Sequence, residues 1–198
     1  LKVVEGTILD LEDSEVEELI QETDAVACCL GHNMSFKGIY GKPHKLVTDS
    51  VKKVCHAISS LHPSQPKKVI LMNSIGVAHP DGTDDPRPMK ERMLINTIRA
   101  LVPPHSDNED AAAYLCNDVG KKDSDVEWVV VRPDDLIDAD VSKYEVTEKP
   151  PATGLFGGGQ TSRSNVAHFM CDLILNDTTF NKWKGLMPVP TNMKAPSN

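Results

Sequence analysis

Two spacings of apolar residues take turns along this chain. The segments Asp24-Ala25-Val26-Ala27-Cys28-Cys29-Leu30-Gly31, Lys68-Val69-Ile70-Leu71-Met72-Asn73 and Glu127-Trp128-Val129-Val130-Val131 each carry a short, nearly continuous apolar run. Such runs suit strands buried on both faces, as in a parallel sheet covered by helices. Between and after them the apolar positions recur at helical spacing. Val47, Val51, Val54, Ile58 and Leu61 predict a helix over about residues 48–61. Ser14 and Glu17 predict a capping box for a helix whose apolar face is Val16, Leu19 and Ile20. Met93, Leu94, Ile98 and Leu101 predict a helix that stops at Pro103-Pro104, and Ser106 with Glu109 predicts a second capping box for a helix reaching about Val119. Ser164 or Asn165 can cap a helix carrying Val166, Met170, Leu173 and Ile174. Short strands are predicted at Val3-Val4, at 143–148, where polar and apolar residues alternate, and at 183–189. Residues 78–88 form a polar loop with three prolines, and Gly157-Gly158-Gly159 a flexible turn.

This alternation predicts an α/β fold: a Rossmann-type, doubly wound parallel sheet in one domain over residues 1–198. A net charge of −8 argues against a nucleic-acid backbone as partner. No apolar run approaches the roughly 20 residues that span a bilayer, and no basic-then-apolar leader opens the chain. Instead Leu1-Lys2-Val3-Val4 reads like the middle of a fold. The five cysteines lack CxxC spacing and read as free, mostly buried thiols, which places the protein in a reducing, cytoplasmic setting.

Three predicted strands end in residues suited to a ligand: Leu30-Gly31, Asn73-Ser74 and Arg132-Pro133. In an open parallel sheet the carboxyl ends of the strands lie on one edge, where ligands bind. Glycine lets a cofactor approach the backbone closely, and a serine hydroxyl can donate to a carbonyl or amide. The competing reading is that Gly31 and Ser74 only shape turns. Gly38-Ile39-Tyr40-Gly41-Lys42 lacks the first glycine and the final Ser/Thr of a phosphate loop. The seven histidines show neither H-x-x-x-H nor Cys/His spacing, so no metal site is expected. His32 and His79 follow strand ends and could face a pocket, though a solvent-exposed loop position is the favoured reading for each; Tyr114 and Trp128 read as packing, and Asp107 as part of an acidic first helical turn.

Five short motifs in order carry a resemblance: Val4-Glu5-Gly6-Thr7-Ile8-Leu9-Asp10, the first apolar run through Gly31, Val69-Ile70-Leu71-Met72-Asn73-Ser74-Ile75-Gly76, Trp128-Val129-Val130-Val131-Arg132-Pro133-Asp134-Asp135-Leu136, and Thr161-Ser162-Arg163-Ser164-Asn165-Val166-Ala167. Together they resemble the atypical short-chain dehydrogenase/reductase proteins, in particular the NmrA-like and biliverdin/flavin-reductase-like NAD(P)H-binding group. The resemblance implies NADP or NAD as cofactor and a small-molecule substrate. It places Thr7 and Ile8 beside adenine, Leu30 and Gly31 beside the ribose, and Asn73 at the same strand end as Ser74, the active-site serine position. Arg132, Pro133 and Leu136 fall against the nicotinamide, and Ser162 and Arg163 on the substrate side.

Two departures shape the expectation. The glycine-rich turn that holds the pyrophosphate in this family does not occur, so a front βα segment, part of a unit of roughly 30 residues, is expected to be missing. The Tyr-x-x-x-Lys pair of typical members is also absent: His44, Asp118 and Glu148 stand four residues after Tyr40, Tyr114 and Tyr144. The expected function is an NAD(P)H-dependent oxidoreductase passing a hydride to a small planar acceptor such as a flavin or quinone. The alternatives are a non-catalytic sensor or assembly factor and, behind it, a nucleotide-sugar epimerase or dehydratase.

Overall fold

The computed structural model describes residues 3–33, 35–120, 123–150 and 159–193. Gly157 and Gly158 of the expected glycine turn lie outside them. At the centre is a three-stranded parallel sheet in the order β1 (Ala25–Cys28), β2 (Lys67–Met72), β3 (Val126–Val131). Ala25 pairs with Lys68 and Lys67 with Val126. Every residue from Trp128 to Val131 is buried, as a strand covered on both faces requires.

Alternate residues of β2 and β3 feed two cores. Val69, Leu71, Trp128 and Val130 join the apolar stripes of α1 (Asp13–Ile20), α3 (Leu46–Leu61) and α5 (Pro103–Tyr114). Ile70, Val129 and Val131 face the other way, onto α6 (Arg163–Leu175) and α7 (Asp177–Trp183), through Phe169, Leu173, Phe180 and Trp183. Ile70 is fully buried in the central strand. Ile70→Val should cost about 0.5–1.5 kcal/mol in urea unfolding; a change below 0.3 kcal/mol would show that the site closes over the lost methyl.

The remaining elements are α2 (Phe36–Tyr40), α4 (Met89–Leu101), β4 (Asp135–Ile137), β5 (Tyr144–Thr147), β6 (Gln160–Ser162) and β7 (Val189–Asn192). β4 pairs with β6 in parallel, and β5 with β7 antiparallel. Residues 185–188 run beside β3: Gly185 N–H donates to Trp128 O at 2.8 Å, Val130 N–H to Leu186 O at 3.2 Å and Arg132 N–H to Pro188 O at 2.9 Å.

Several local expectations are corrected. Val3-Val4 forms no strand. The capping box of α1 is built by Glu12 and Glu15, two residues upstream of the expected pair, because the helix starts earlier. α5 begins on Pro103, whose fixed φ and missing N–H suit a first turn. Ser106 therefore lies inside that helix and donates to Pro103 O. Ser162, rather than Ser164 or Asn165, caps α6, accepting from Asn165 N–H at 3.1 Å. Where one strand was expected at 183–189, α7 ends at Trp183 and β7 starts at Val189; Asn176 opens α7 by accepting from the Thr178 and Thr179 amides.

Candidate active site at the carboxyl edge of the sheet

The three strand ends meet at one edge. The ladder continues past the strands: Asn73 N–H donates to Val131 O at 2.8 Å and Ile75 N–H to Pro133 O at 3.0 Å. Asn73 is buried, its Nδ2 donating to Asn108 O and its Oδ1 accepting from Ser74 N–H. Ser74 is half-buried, and its Oγ accepts from Gly76 N–H at 3.2 Å. That contact uses a lone pair and leaves the hydroxyl proton to donate. A carbon added at Gly76 would stand 3.5 Å from Ser74 Oγ and 3.4 Å from His105 Cε1, so serine and imidazole flank one small space.

Beside that space is a cavity of about 200 Å³ lined by Gly76, Arg87, Arg92, Asn96, Arg99 and Glu109 among others. Arg99 is tied to Glu109 by two bonds of 2.6 Å. Among the described residues, three buried polar atoms of this neighbourhood have no hydrogen-bond partner: Arg87 Nη1, Glu91 Oε2 and His105 Nε2. His105 Nε2 stands 3.4 Å from Glu109 Oε1, without the alignment of a hydrogen bond. Burial, helped by Arg99 and Arg87 and opposed by Glu109, pushes the His105 imidazole below its ordinary value, so the ring is neutral at pH 7. Orphaned buried polar atoms of this kind are costly unless something binds them.

Leu30 and Gly31 form an exposed lip at the end of β1; Leu30 is 39% exposed, and none of the described residues lies within 4 Å of the position a Gly31 side chain would start from. The open backbone there fits the close approach of a cofactor. Behind it sits a pair not visible in the sequence. His32 Nε2 is 2.8 Å from Asp107 Oδ2, and its Nδ1 is 3.2 Å from Gly38 O. Both side chains are buried. Asp107 also accepts from the Val47 and Thr48 amides at the start of α3. Burial acts to raise the Asp107 carboxyl, but the bonds from Thr48, the Val47 amide and His32 outweigh it and hold it below the carboxylate range. His32 is thus a packed, paired residue rather than the exposed loop histidine expected.

Arg132 stands directly after β3, and its side chain turns into the protein. Its guanidinium is fully buried, and all five N–H groups are used: Nε donates to Met187 O, Nη1 to Val77 O and Asp84, Nη2 to Asp84 and Glu148 O. The Arg132 charge is therefore spent inside the protein, and Pro133 beside it is buried. Asp134 follows, and an added carbon at Gly159 would fall 2.1 Å from its Oδ2, so a side chain there would force the Asp134 carboxyl to move. Burial raises the Asp134 carboxyl above its ordinary value, against the lowering effect of the Asp135 amide that donates to it.

The other predicted residues scatter. Leu136 packs on the α6–α7 core and pairs with Thr161. Ser162 is consumed as a helix cap and Arg163 is exposed, paired with Asp138 at 2.7 Å. Thr7 is exposed at the start of a 3₁₀ turn (Ile8–Asp10), and Ile8 packs on the core beneath α3. The sequence pattern gave no site role to His105 or Asp134 and read Asp107 only as a helix-turn acid. The capping-box reading of Ser106 and Glu109 drew attention away from His105 and Asp107.

Residues 1–177 match the family described as NAD(P)H-binding. The chain belongs to that family. Its parallel sheet, covered by helices on both faces, is the α/β Rossmann-like arrangement of an NAD(P)-binding fold. Solved structures share the fold at low identity. The oxidoreductase ylbE from Lactococcus lactis is 15% identical, with a TM-score of 0.63 over 98% of this chain and 73% of that one. A short-chain dehydrogenase/reductase from Veillonella parvula, solved in complex with NADP, is 15% identical with a TM-score of 0.61 over 100% of this chain and 76% of that one. The anaerobillin reductase ChuY from Escherichia coli O157:H7 is 15% identical with a TM-score of 0.61 over 98% of this chain and 76% of that one. No curated protein matches the sequence. Among the described residues no helix is long and apolar enough to cross a membrane.

Proposed function

We propose that this NAD(P)H-binding protein is an oxidoreductase acting on a small, planar acceptor, with NADP as cofactor and NAD as the alternative. The observation that carries it is Ser74, whose hydroxyl proton is free to donate at the sheet edge while Gly76 N–H holds its oxygen in place. Bound NAD(P)H supplies a hydride. Leu30, Gly31 and the Pro133 backbone hold the cofactor by close approach, and Ser74 donates to the acceptor's carbonyl or to the carboxamide. Neutral His105 borders that space with its ring, while the proton that follows the hydride comes from solvent or from the acceptor itself. Arg87 Nη1 and the neighbouring arginines attract an anionic group on the acceptor, and Arg163 does so on the far side. The V. parvula relative solved with NADP supports the cofactor choice. Free thiols at all five cysteines fit a reducing, cytoplasmic setting.

Ser74→Ala should lower NADPH-dependent reduction of a flavin or quinone by about 10²-fold, the usual effect of deleting one positioned donor, with the unfolding free energy nearly unchanged. Equal turnover in the variant removes Ser74 from the mechanism. Absence of NADPH and NADH binding by calorimetry would sink the oxidoreductase reading as a whole.

A second reading, a cofactor-binding sensor or assembly factor without turnover, draws support from Tyr114. Typical members activate a tyrosine by lowering its pKa with a nearby lysine. Here burial, with Cys55, Asp123 and Asp118 adding to it, pushes Tyr114 up to about 12. Binding of NADPH with no oxidation across an acceptor panel would favour this reading.

A further inference from the structure

In the loop that Asp84 ties to Arg132, and on the helix end packed beside it, the chain brings three different donor groups together. His79 and Asp81 lie in the loop after β2. Cys116 lies in the π-helical turn Leu115–Val119 that ends α5. One ligand atom from each lies within 4.8 Å of the others. Thiolate, imidazole and carboxylate are the set that zinc-class cations favour. Bond lengths of about 2.0–2.3 Å put tetrahedral ligands roughly 3.5 Å apart, so closure by about 1 Å is needed. Asp81 can supply it: it is exposed, and Gly82 after it turns the chain at φ +72°.

Two independent features support a ligand here. Cys116 is 5% exposed and sits in a π-turn, a helix distortion that concentrates at functional sites. A cavity of about 460 Å³, lined by Asp81, Cys116, Gly120, Trp128 and Lys184 among others, reaches two of the three donors. It gives an ion a path in and water a place to bind. This cavity is larger than the one beside Ser74, yet it lies at the opposite, amino end of β3, away from the strand ends.

We propose that His79, Asp81 and Cys116 form a binding site for a divalent cation of the zinc class, with water from the adjoining cavity as the fourth ligand. Coordination by the imidazole displaces the bond that His79 Nδ1 accepts from Asp81 N–H. At 3.2 Å that bond is long, and water can replace it on an exposed turn. The bound cation would pin the loop after β2 to the end of α5. Spacing rules missed the site because its donors come from segments far apart in the chain, and the single Cys/His pair follows no zinc-finger pattern.

The test uses Co²⁺ as probe on the whole chain. One equivalent should give tetrahedral visible bands and a near-ultraviolet thiolate-to-cobalt absorption, both removed by Zn²⁺. Cys116→Ser should abolish the near-ultraviolet band. Asp81→Asn, a change at an exposed side chain that leaves the core intact, should weaken Co²⁺ binding at least tenfold. No thiolate band in the natural chain overturns the proposal. So does a band that persists in Cys116→Ser, which would place the metal on exposed Cys29 or Cys171, or an unchanged affinity in Asp81→Asn.

Discussion

Asp84→Ala is expected to lower the unfolding free energy by about 3–5 kcal/mol, the usual consequence of stripping one partner from a buried ion pair. Arg132 is fully buried, and Asp84 supplies the only carboxylate among its five acceptors, at 2.6 and 3.1 Å. The carbonyls of Met187, Val77 and Glu148 remain in the variant, but they carry no compensating charge. Replacing both residues, as Arg132→Met with Asp84→Leu, should cost less than Asp84→Ala alone, because no buried charge is then left behind. Urea unfolding of the three variants measures this. A double variant at least as unstable as Asp84→Ala would mean that the carbonyl contacts matter more than the charge.

The same pair sets an acid limit. Burial acts to raise the Asp84 carboxyl, but the Arg132 bonds and charge, with the His79 amide, hold it below its ordinary value of 3.8. A depressed carboxylate contributes stability that is complete above the unfolded pKa and is lost as pH falls through the lower folded one. The gap between the natural chain and Asp84→Ala should therefore be constant from pH 5 to 7 and narrow below about pH 4. A gap that widened toward acid would contradict this assignment.

Asp107→Ala is the second large effect. It leaves the Val47 and Thr48 amides and His32 Nε2 without their acceptor in a dry environment. Loss of a helix cap costs about 1 kcal/mol, and each buried orphan about 1–3 kcal/mol, so roughly 3 kcal/mol or more is expected in denaturant unfolding. Amide exchange at Val47 and Thr48 should quicken beyond the global change. NADPH binding should weaken as well, since His32 directly follows Leu30-Gly31. Retention of full cofactor affinity in a folded Asp107→Ala would separate the His32 pair from the cofactor lip.

These residues mark the limit of what the sequence reveals. The run Trp128–Val131 and the spacing of Val47, Val51, Val54 and Ile58 are local patterns, and the sheet and α3 follow from them with boundaries shifted by one or two residues. Ser74 and Gly31 were legible as strand-end residues because position after a buried strand is also local. Arg132 was not: nothing near it in sequence says that Asp84, Glu148 and Met187 will converge on its guanidinium. Asp107 has the same history. Its place in an acidic cluster reads as a dipole effect, while its work is done on residues brought beside it by the packing of α5 on α3. Chemistry assembled across the chain leaves little trace in short motifs.

The five bonds of Arg132 also bear on how the molecule opens. They join the end of β3 to the loop at Val77 and Asp84, to Glu148 and to the strip at Met187, while Arg132 N–H holds Pro188. None of these segments can leave without exposing a buried charge, so they form one cooperative unit of local unfolding. The amides of Asn73, Val130 and Arg132 belong to it. The carboxyl edge is thus held rigid from behind, and whatever breathing admits a ligand must come from its other side, at the exposed lip after β1.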